Sequence, residues 1–309
     1  MDMMNVINQV GMLSITMLIG FLIVKTGYID GQYKNAISKL IVNLILPCLI
    51  ISSISEKELK LDLLKDLITV FFMAIFCIAV MYALGALVAK ILKIPDYTAR
   101  VHKIMSSCGN VIFIGYPILI AMYGEMGFFY AIIYWLLNDL FLWTIGILIL
   151  SKKNDGEPFV KKLLNPNTIS FAIAIIMFVF GLKLPPVIHS AVSGIGALTT
   201  SLSMLFIGMA LADVDVKNII KKWWVVVIAP IKLVILPIIF IMIFKYIGIR
   251  SILVGVVCLE AAMPVQTVTA IIAKEHEADF EYAAVGLFVT TILSIFTLPF
   301  ICYLIKIWT

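Results

Sequence analysis

Ten apolar runs divide this chain of 309 residues, each near the roughly 20 residues a helix needs to cross the hydrocarbon core of a bilayer. They cover residues 5–24, 36–54, 67–91, 104–123, 127–150, 168–184, 190–211, 223–244, 252–273 and 282–306. The sixth is the shortest and ends at Pro185-Pro186. Composition agrees: 63% of residues are hydrophobic and only 13% charged, where a soluble domain has about half and a quarter. The expectation is an all-α polytopic membrane protein with ten transmembrane helices.

Lysine and arginine set the orientation of such a chain. Fifteen fall in or beside the connections after spans one, three, five, seven and nine, against seven in the other connections and at the ends. That bias puts both termini outside the cytoplasm of a multi-pass protein of the cell membrane. It also accounts for the net charge of +5, which speaks to topology and not to nucleic acid. Lys232 is the one basic residue left inside a span. The first residues lack the basic region of a signal peptide, so the first run is read as a retained helix. Cys48, Cys77, Cys108, Cys258 and Cys302 lie within apolar runs without metal-type spacing and read as buried thiols.

The longest cytoplasmic connection, 152–166, separates two halves of five spans, 1–151 and 167–309. Five is odd, so the halves insert with opposite orientation. Span four holds Gly109, Asn110, Gly115 and Pro117; span nine, the fourth of its own half, holds Pro264 at nearly the same depth. Proline has no N–H and its ring clashes with the carbonyl four residues back. In lipid such an interruption survives only inside protein or beside a water-filled cavity. Paired interruptions in corresponding positions of two halves point to a transporter site; ordinary packing kinks are the alternative.

If each second half-helix starts at its proline, two positive helix ends meet at mid-membrane, which suits a carboxylate. The free carbonyls that end the first halves suit a cation. Asn110 is both donor and acceptor, for a carboxylate oxygen or as a cap; Gln266 and Thr267 follow Pro264 and serve as caps or ligand donors. A carboxylate at mid-span marks a functional site, and Glu260 and Asp139 are two. Three roles are open to Glu260: holding Na⁺, relaying a proton, or pairing with Lys232. Asn138 accompanies Asp139, and Tyr130, Tyr134 and Trp135 form a helical stripe that reads as packing or as a cavity wall beside span four. Residues 56–66 read as a solvated interfacial segment, and His189 and His276 as solvated span ends. No hydrolase, zinc or nucleotide-loop motif is present, so no catalysis and no cofactor is expected beyond a coupling Na⁺ or H⁺.

The stretch Asn110-x4-Gly115-x-Pro117-Ile118-Leu119-x-Ala121-Met122-Tyr123-Gly124 closely resembles the fourth-helix motif of the auxin efflux carrier (PIN-like) family. Ala262-x-Pro264 with Ala273-Lys274-Glu275 resembles its ninth helix, and Asn43-x3-Pro47 and Lys232-x4-Pro237 fit spans two and eight. The resemblance implies two inverted five-helix repeats whose broken helices four and nine cross at their prolines. It also implies a homodimer that moves organic anions by an elevator-like motion. Asn110 and Pro117 would then contact the substrate carboxylate, with Gly109 beside them and Pro264 at the crossover. Ser52, Ser53 and span-five residues such as Tyr134 and Asn138 would flank the site. Two departures stand out: the connector 152–166 is short, and Glu260-x2-Met263 is similar instead to bile acid sodium symporters, which bind sodium at such a glutamate. Microbial relatives are linked to malate or malonate. The function expected is secondary transport of small organic anions; an uncoupled uniporter, a channel and a non-transporting membrane sensor or scaffold are the alternatives.

Overall fold

The computed structural model describes residues 3–30, 33–55, 61–151, 166–212, 214 and 222–308. Most of the connector 152–166 and the first five residues of 56–66 therefore lie outside the described residues. Helix fills every apolar run. Helix α1 is Met3–Lys25. Then come α2 (Lys34–Leu40) and α3 (Leu46–Ser55), joined through a widened π turn, Ile41–Ile45. Helix α4 is Leu61–Ile91 and α5 is Asp96–Ser107. A π turn, Val111–Gly115, leads into α6 (Tyr116–Phe141), and another, Leu142–Gly146, into α7 (Ile147–Leu150). The second half holds α8 (Pro166–Phe180), α9 (Pro186–Gly196) and α10 (Thr199–Leu211). After these run α11 (Trp224–Pro230), a π turn at Ile231–Ile235, and α12 (Leu236–Tyr246). The chain closes with α13 (Ser251–Ala261), α14 (Val268–Glu275) and α15 (Phe280–Trp308).

Among the described residues, seven helical stretches are long and apolar enough to cross a membrane, with Pro166–Phe180 and Ser251–Ala261 as shorter apolar helices. Leu18, Phe72, Val226, Met242 and Phe296 leave these helices exposed, as side chains that meet lipid should be. The longest stretch, Val111–Leu150, is bent at Gly124, whose φ of 63° and ψ of −163° no side-chain-bearing residue adopts cheaply. Four of the five cysteines are buried and all five are free thiols.

Prolines explain three of the four π turns among the described residues. Pro47, Pro117 and Pro237 each stand two residues past the end of one, so the missing N–H and the ring clash fall on the carbonyl of Asn43, Phe113 or Leu233 inside it. The turn widens and the helix continues. This corrects the expectation for span four: Pro117 widens a turn, and the true break lies at Cys108, Gly109 and Asn110, between α5 and Val111. In span nine Pro264 does lie in the break, but α14 starts only at Val268.

The helices pack as two groups. In the first, α1 lies along α10 and α3 packs on α8 and α9. Gly20 and Gly208 bring α1 and α10 into backbone contact: a Cβ would fall 2.2 Å from the Leu205 carbonyl oxygen at Gly20, and 1.9 Å from that of Met17 at Gly208. In the second, α4 packs on α5 and α6, α6 on α13, α12 on α13, and α15 on α11 and α14.

Two polar clasps tie helix starts within this second group. At one, Asp279 accepts from Lys222 (2.8 Å), Thr98 (2.6 Å) and the Tyr282 N–H (3.0 Å). At the other, Asp66 accepts from Tyr130 (2.8 Å) and from Arg250. Asp66 is buried, which corrects the reading of its segment as solvated at this residue. His276 is held too, with Nδ1 2.9 Å from Ser151 Oγ.

Candidate functional site

The two breaks meet. Gly109 and Val265 form an isolated antiparallel bridge, and the Asn110 N–H donates to the Pro264 carbonyl at 2.7 Å. Backbone freed from one helix thus pairs with backbone freed from the other, where neither lipid nor water would serve. Side chains from the following helices take up Gly109 and the Val265 N–H. Asn138 of α6 accepts the Gly109 N–H at Oδ1 (3.1 Å) and directs Nδ2 to the Gly109 carbonyl (3.4 Å) and to Gln266 Oε1 (3.1 Å). Thr290 of α15 accepts the Val265 N–H at 3.0 Å. Each break is therefore closed by a polar residue one helix further along its own half.

A cavity of about 40 Å³ opens on the crossing. Asn110, Asp139, Asn167, Gln266 and Thr267 supply its polar wall, and Val42, Leu46, Trp135 and Trp143 are among its apolar lining. The first residues of both second halves also line it: Val111, Ile112 and Phe113, then Thr267 and Val268. Those positions carry the helix N–H groups without partners inside the helix and the positive end of its dipole. Three π turns contribute, through Val42, Val111 and Trp143, and π turns recur where a helix must present side chains to a site. Asn110 Nδ2 donates to Thr267 Oγ1 at 3.1 Å, joining the two walls. Asp139 is fixed from two sides, by Gln266 Nε2 and by Trp135 Nε1, each at 3.0 Å.

Of the residues expected from sequence, Asn110, Gln266, Thr267 and Asp139 thus come together on one cavity. Gly109, Asn138 and Pro264 build the crossing beneath it. Trp135 is the member of the aromatic stripe that reaches the cavity; Tyr134 is buried without lining it. Pro117 follows its widened turn, at the start of α6, and does not line the cavity. Ser52 and Ser53 line a different cavity, of about 240 Å³, with Glu125, His189 and Ser193.

Glu260 and Lys232, each 1% exposed, do not pair. Lys232 Nζ donates to the Ser106 carbonyl at 3.1 Å, at the end of α5. Glu260 lies against Gly115, where a Cβ would come within 2.9 Å of Oε2, and that oxygen is buried without a hydrogen-bond partner. Glu260 stands four residues before Pro264, where a proline would leave its carbonyl free, yet the Met263 N–H donates to that carbonyl at 3.2 Å.

Asn167 escaped the sequence reading. It follows Pro166 at the start of α8, where Asn165-Pro166-Asn167 looks like the edge of a connector. Yet it is 7% exposed, lines the central cavity from the first helix group, and its Oδ1 is buried without a partner.

A third cavity, of about 560 Å³, is lined by Lys34, Ser38, Phe206, Thr267, Lys274 and Glu281 among others. Span two and the residues just before it run past these three cavities in order: Lys34 and Ser38 line the 560 Å³ cavity, Val42 and Leu46 the central one, and Leu49, Ser52 and Ser53 the 240 Å³ one. Thr267 belongs to both the central and the large cavity. The three lie along the seam between the helix groups.

A family of membrane transport proteins matches the chain over residues 5–159 and 157–302. Among curated proteins, an uncharacterized transporter of Methanocaldococcus jannaschii is 23% identical over 290 residues, covering 91% of this chain and 92% of its own length. An uncharacterized transporter of Methanothermobacter thermautotrophicus is 22% identical over 288 residues, covering 92% and 93%. The chain is a multi-pass membrane protein and not an enzyme, and it belongs to the membrane transport protein family, the auxin efflux carrier-like group that its span-four motif resembles.

Proposed function

We propose that this protein is a secondary transporter that moves small organic anions across the cell membrane by an elevator-type movement. The observation that carries the reading is the crossing of two broken helices at a cavity walled by Asn110, Gln266 and Thr267. Amide and hydroxyl donors there stand with two helix N-termini, which is the chemistry that receives a carboxylate. Substrates of the malate, malonate or auxin-like kind fit that donor set.

In this reading the chain makes ten spans, in two inverted repeats of five, 1–151 and 167–309. Gly124 divides the longest helical stretch into the second half of span four and span five. Spans four and nine are each two half-helices, α5 with the Val111 turn onward, and α13 with α14. A 40 Å³ cavity has room for one or a few waters, while small-ligand pockets run to about 300 Å³ and more. The site is closed in this conformation, and sliding of the second helix group along the first would open it to either side. By the charge bias, the large cavity with Lys34 and Lys274 faces the cytoplasm, as do neither of the termini. Glu260 is the group that would take Na⁺ or a proton, and the family resemblance implies a homodimer.

The test is a thermal-shift screen of the purified protein against malonate, malate and indole-3-acetate, with and without sodium, followed by counterflow in proteoliposomes. Saturable counterflow of a carboxylate supports the proposal. Flux without saturation would make the protein a channel, and binding without flux a sensor.

A further inference from the structure

Lys232 is a fully buried amine, and among the described residues no carboxylate pairs with it. Pro237 widens the turn Ile231–Ile235, and Lys232 projects from it to the end of α5. The last carbonyls of a helix have no partner within it and carry its negative pole. At the end of α5 the Ile104 carbonyl is satisfied locally, by the Cys108 N–H (2.8 Å) and by Ser107 Oγ (3.2 Å). The Ser106 carbonyl receives Lys232 Nζ. No ion pair joins Lys232 to any carboxylate among the described residues; Asp139 is held by Gln266 and Trp135, and Glu260 lies against Gly115.

We propose that the Lys232 ammonium is a tethered monovalent cation, seated at the negative pole of the first half of span four, where it takes the place of a dissolved ion. The pole carries about half an elementary charge, so it balances only part of the lysine. The remainder is a fixed positive charge close to the crossing, and it favours an anion in the cavity a few residues further along the chain. The corresponding pole at the end of α13 carries Glu260 instead, with a carboxylate oxygen that has no partner. The crossing thus has one built-in cation and one place for a mobile one, which limits coupling to a single cation. Only this last consequence rests on the transport reading; the tethered cation itself is tested without substrate.

Lys232→Ala removes a piece the size of n-propylammonium. Thermal unfolding of the purified variant in choline buffer is compared with and without n-propylammonium chloride, n-propanol and sodium chloride. The proposal predicts that n-propylammonium raises the midpoint of the variant by about 2 °C or more while leaving the wild type unchanged, and that n-propanol does not. Equal stabilisation by both would mean that a void is being filled, and overturns it; so does a folded variant indifferent to all three. Lys232→Met keeps the volume without the charge and is expected to fold, because exchanging a buried charge for a hydrophobe is often neutral or stabilising. A Met variant that fails to fold contradicts the proposal. So does an Ala variant that stays aggregated in n-propylammonium while the Met variant folds.

Discussion

The two helix breaks do the same job by different means. In span nine the proline lies inside the break, and Pro264 gives its carbonyl to the partner strand. In span four the break holds no proline at all, and Pro117 stands seven residues beyond Asn110, where it only widens a turn. What the breaks share is a polar side chain from the next helix, Asn138 for one and Thr290 for the other, that takes up the freed N–H. The lesson is that a missing N–H bends a helix, but only a replacement partner lets the chain leave helical geometry at membrane depth. The breaks differ in their ionisable side chains as well, with Lys232 at the end of α5 and Glu260 near the end of α13.

That comparison can be broken by substitution. Asn138→Ala strips partners from Gly109 and from Gln266 at once. At about 1–3 kcal/mol for each buried group left unpaired, it should cost about 3–4 kcal/mol and show the largest fall in melting temperature. Thr290→Val keeps shape and orphans only the Val265 N–H, so about 1–2 kcal/mol is expected. If Thr290→Val proved the more damaging, the two closures would not be equivalent. Pro117→Ala should change stability by less than about 1 kcal/mol, because the π turn can relax toward α-helix and no break depends on it. A collapse of the fold in that variant would restore Pro117 as the origin of the break. Smallest in stability is Glu260→Gln, which keeps the shape and removes the charge. The expectation is an unchanged or slightly raised melting temperature with loss of any sodium- or pH-dependence of transport; dependence retained in full would remove Glu260 from coupling.

Much of this architecture was legible because membrane helices announce themselves by length and hydropathy. The corresponding depth of Pro117 and Pro264 in their runs was enough to expect that the interruptions meet, although the break in span four lies before Val111 and not at its proline. What the chain did not disclose is which residue closes which backbone group. Asn138 looks on paper like any polar residue beside Asp139, and its role follows from Gly109 lying against it in space. Lys232 and Glu260 invite pairing because both are charged and at mid-span, yet helix direction sends one to Ser106 and the other to Gly115. Asn167 was hidden by its neighbour, since Asn-Pro-Asn is turn-forming anywhere except at the mouth of a helix that faces a cavity. Asp66 was hidden by its segment, whose charges suggest solvent although this carboxylate is clasped by Arg250 and Tyr130.

The central claim is that the crossing is an anion site with Asn110 at its centre, and counterflow of radiolabelled carboxylate in proteoliposomes tests it most directly. Asn110→Ala loses one side-chain hydrogen bond, to Thr267, and should fold with a penalty near 1 kcal/mol. The account predicts saturable counterflow in the wild type and none above empty vesicles in this variant, with both proteins monodisperse. Counterflow at the wild-type rate in Asn110→Ala would contradict it.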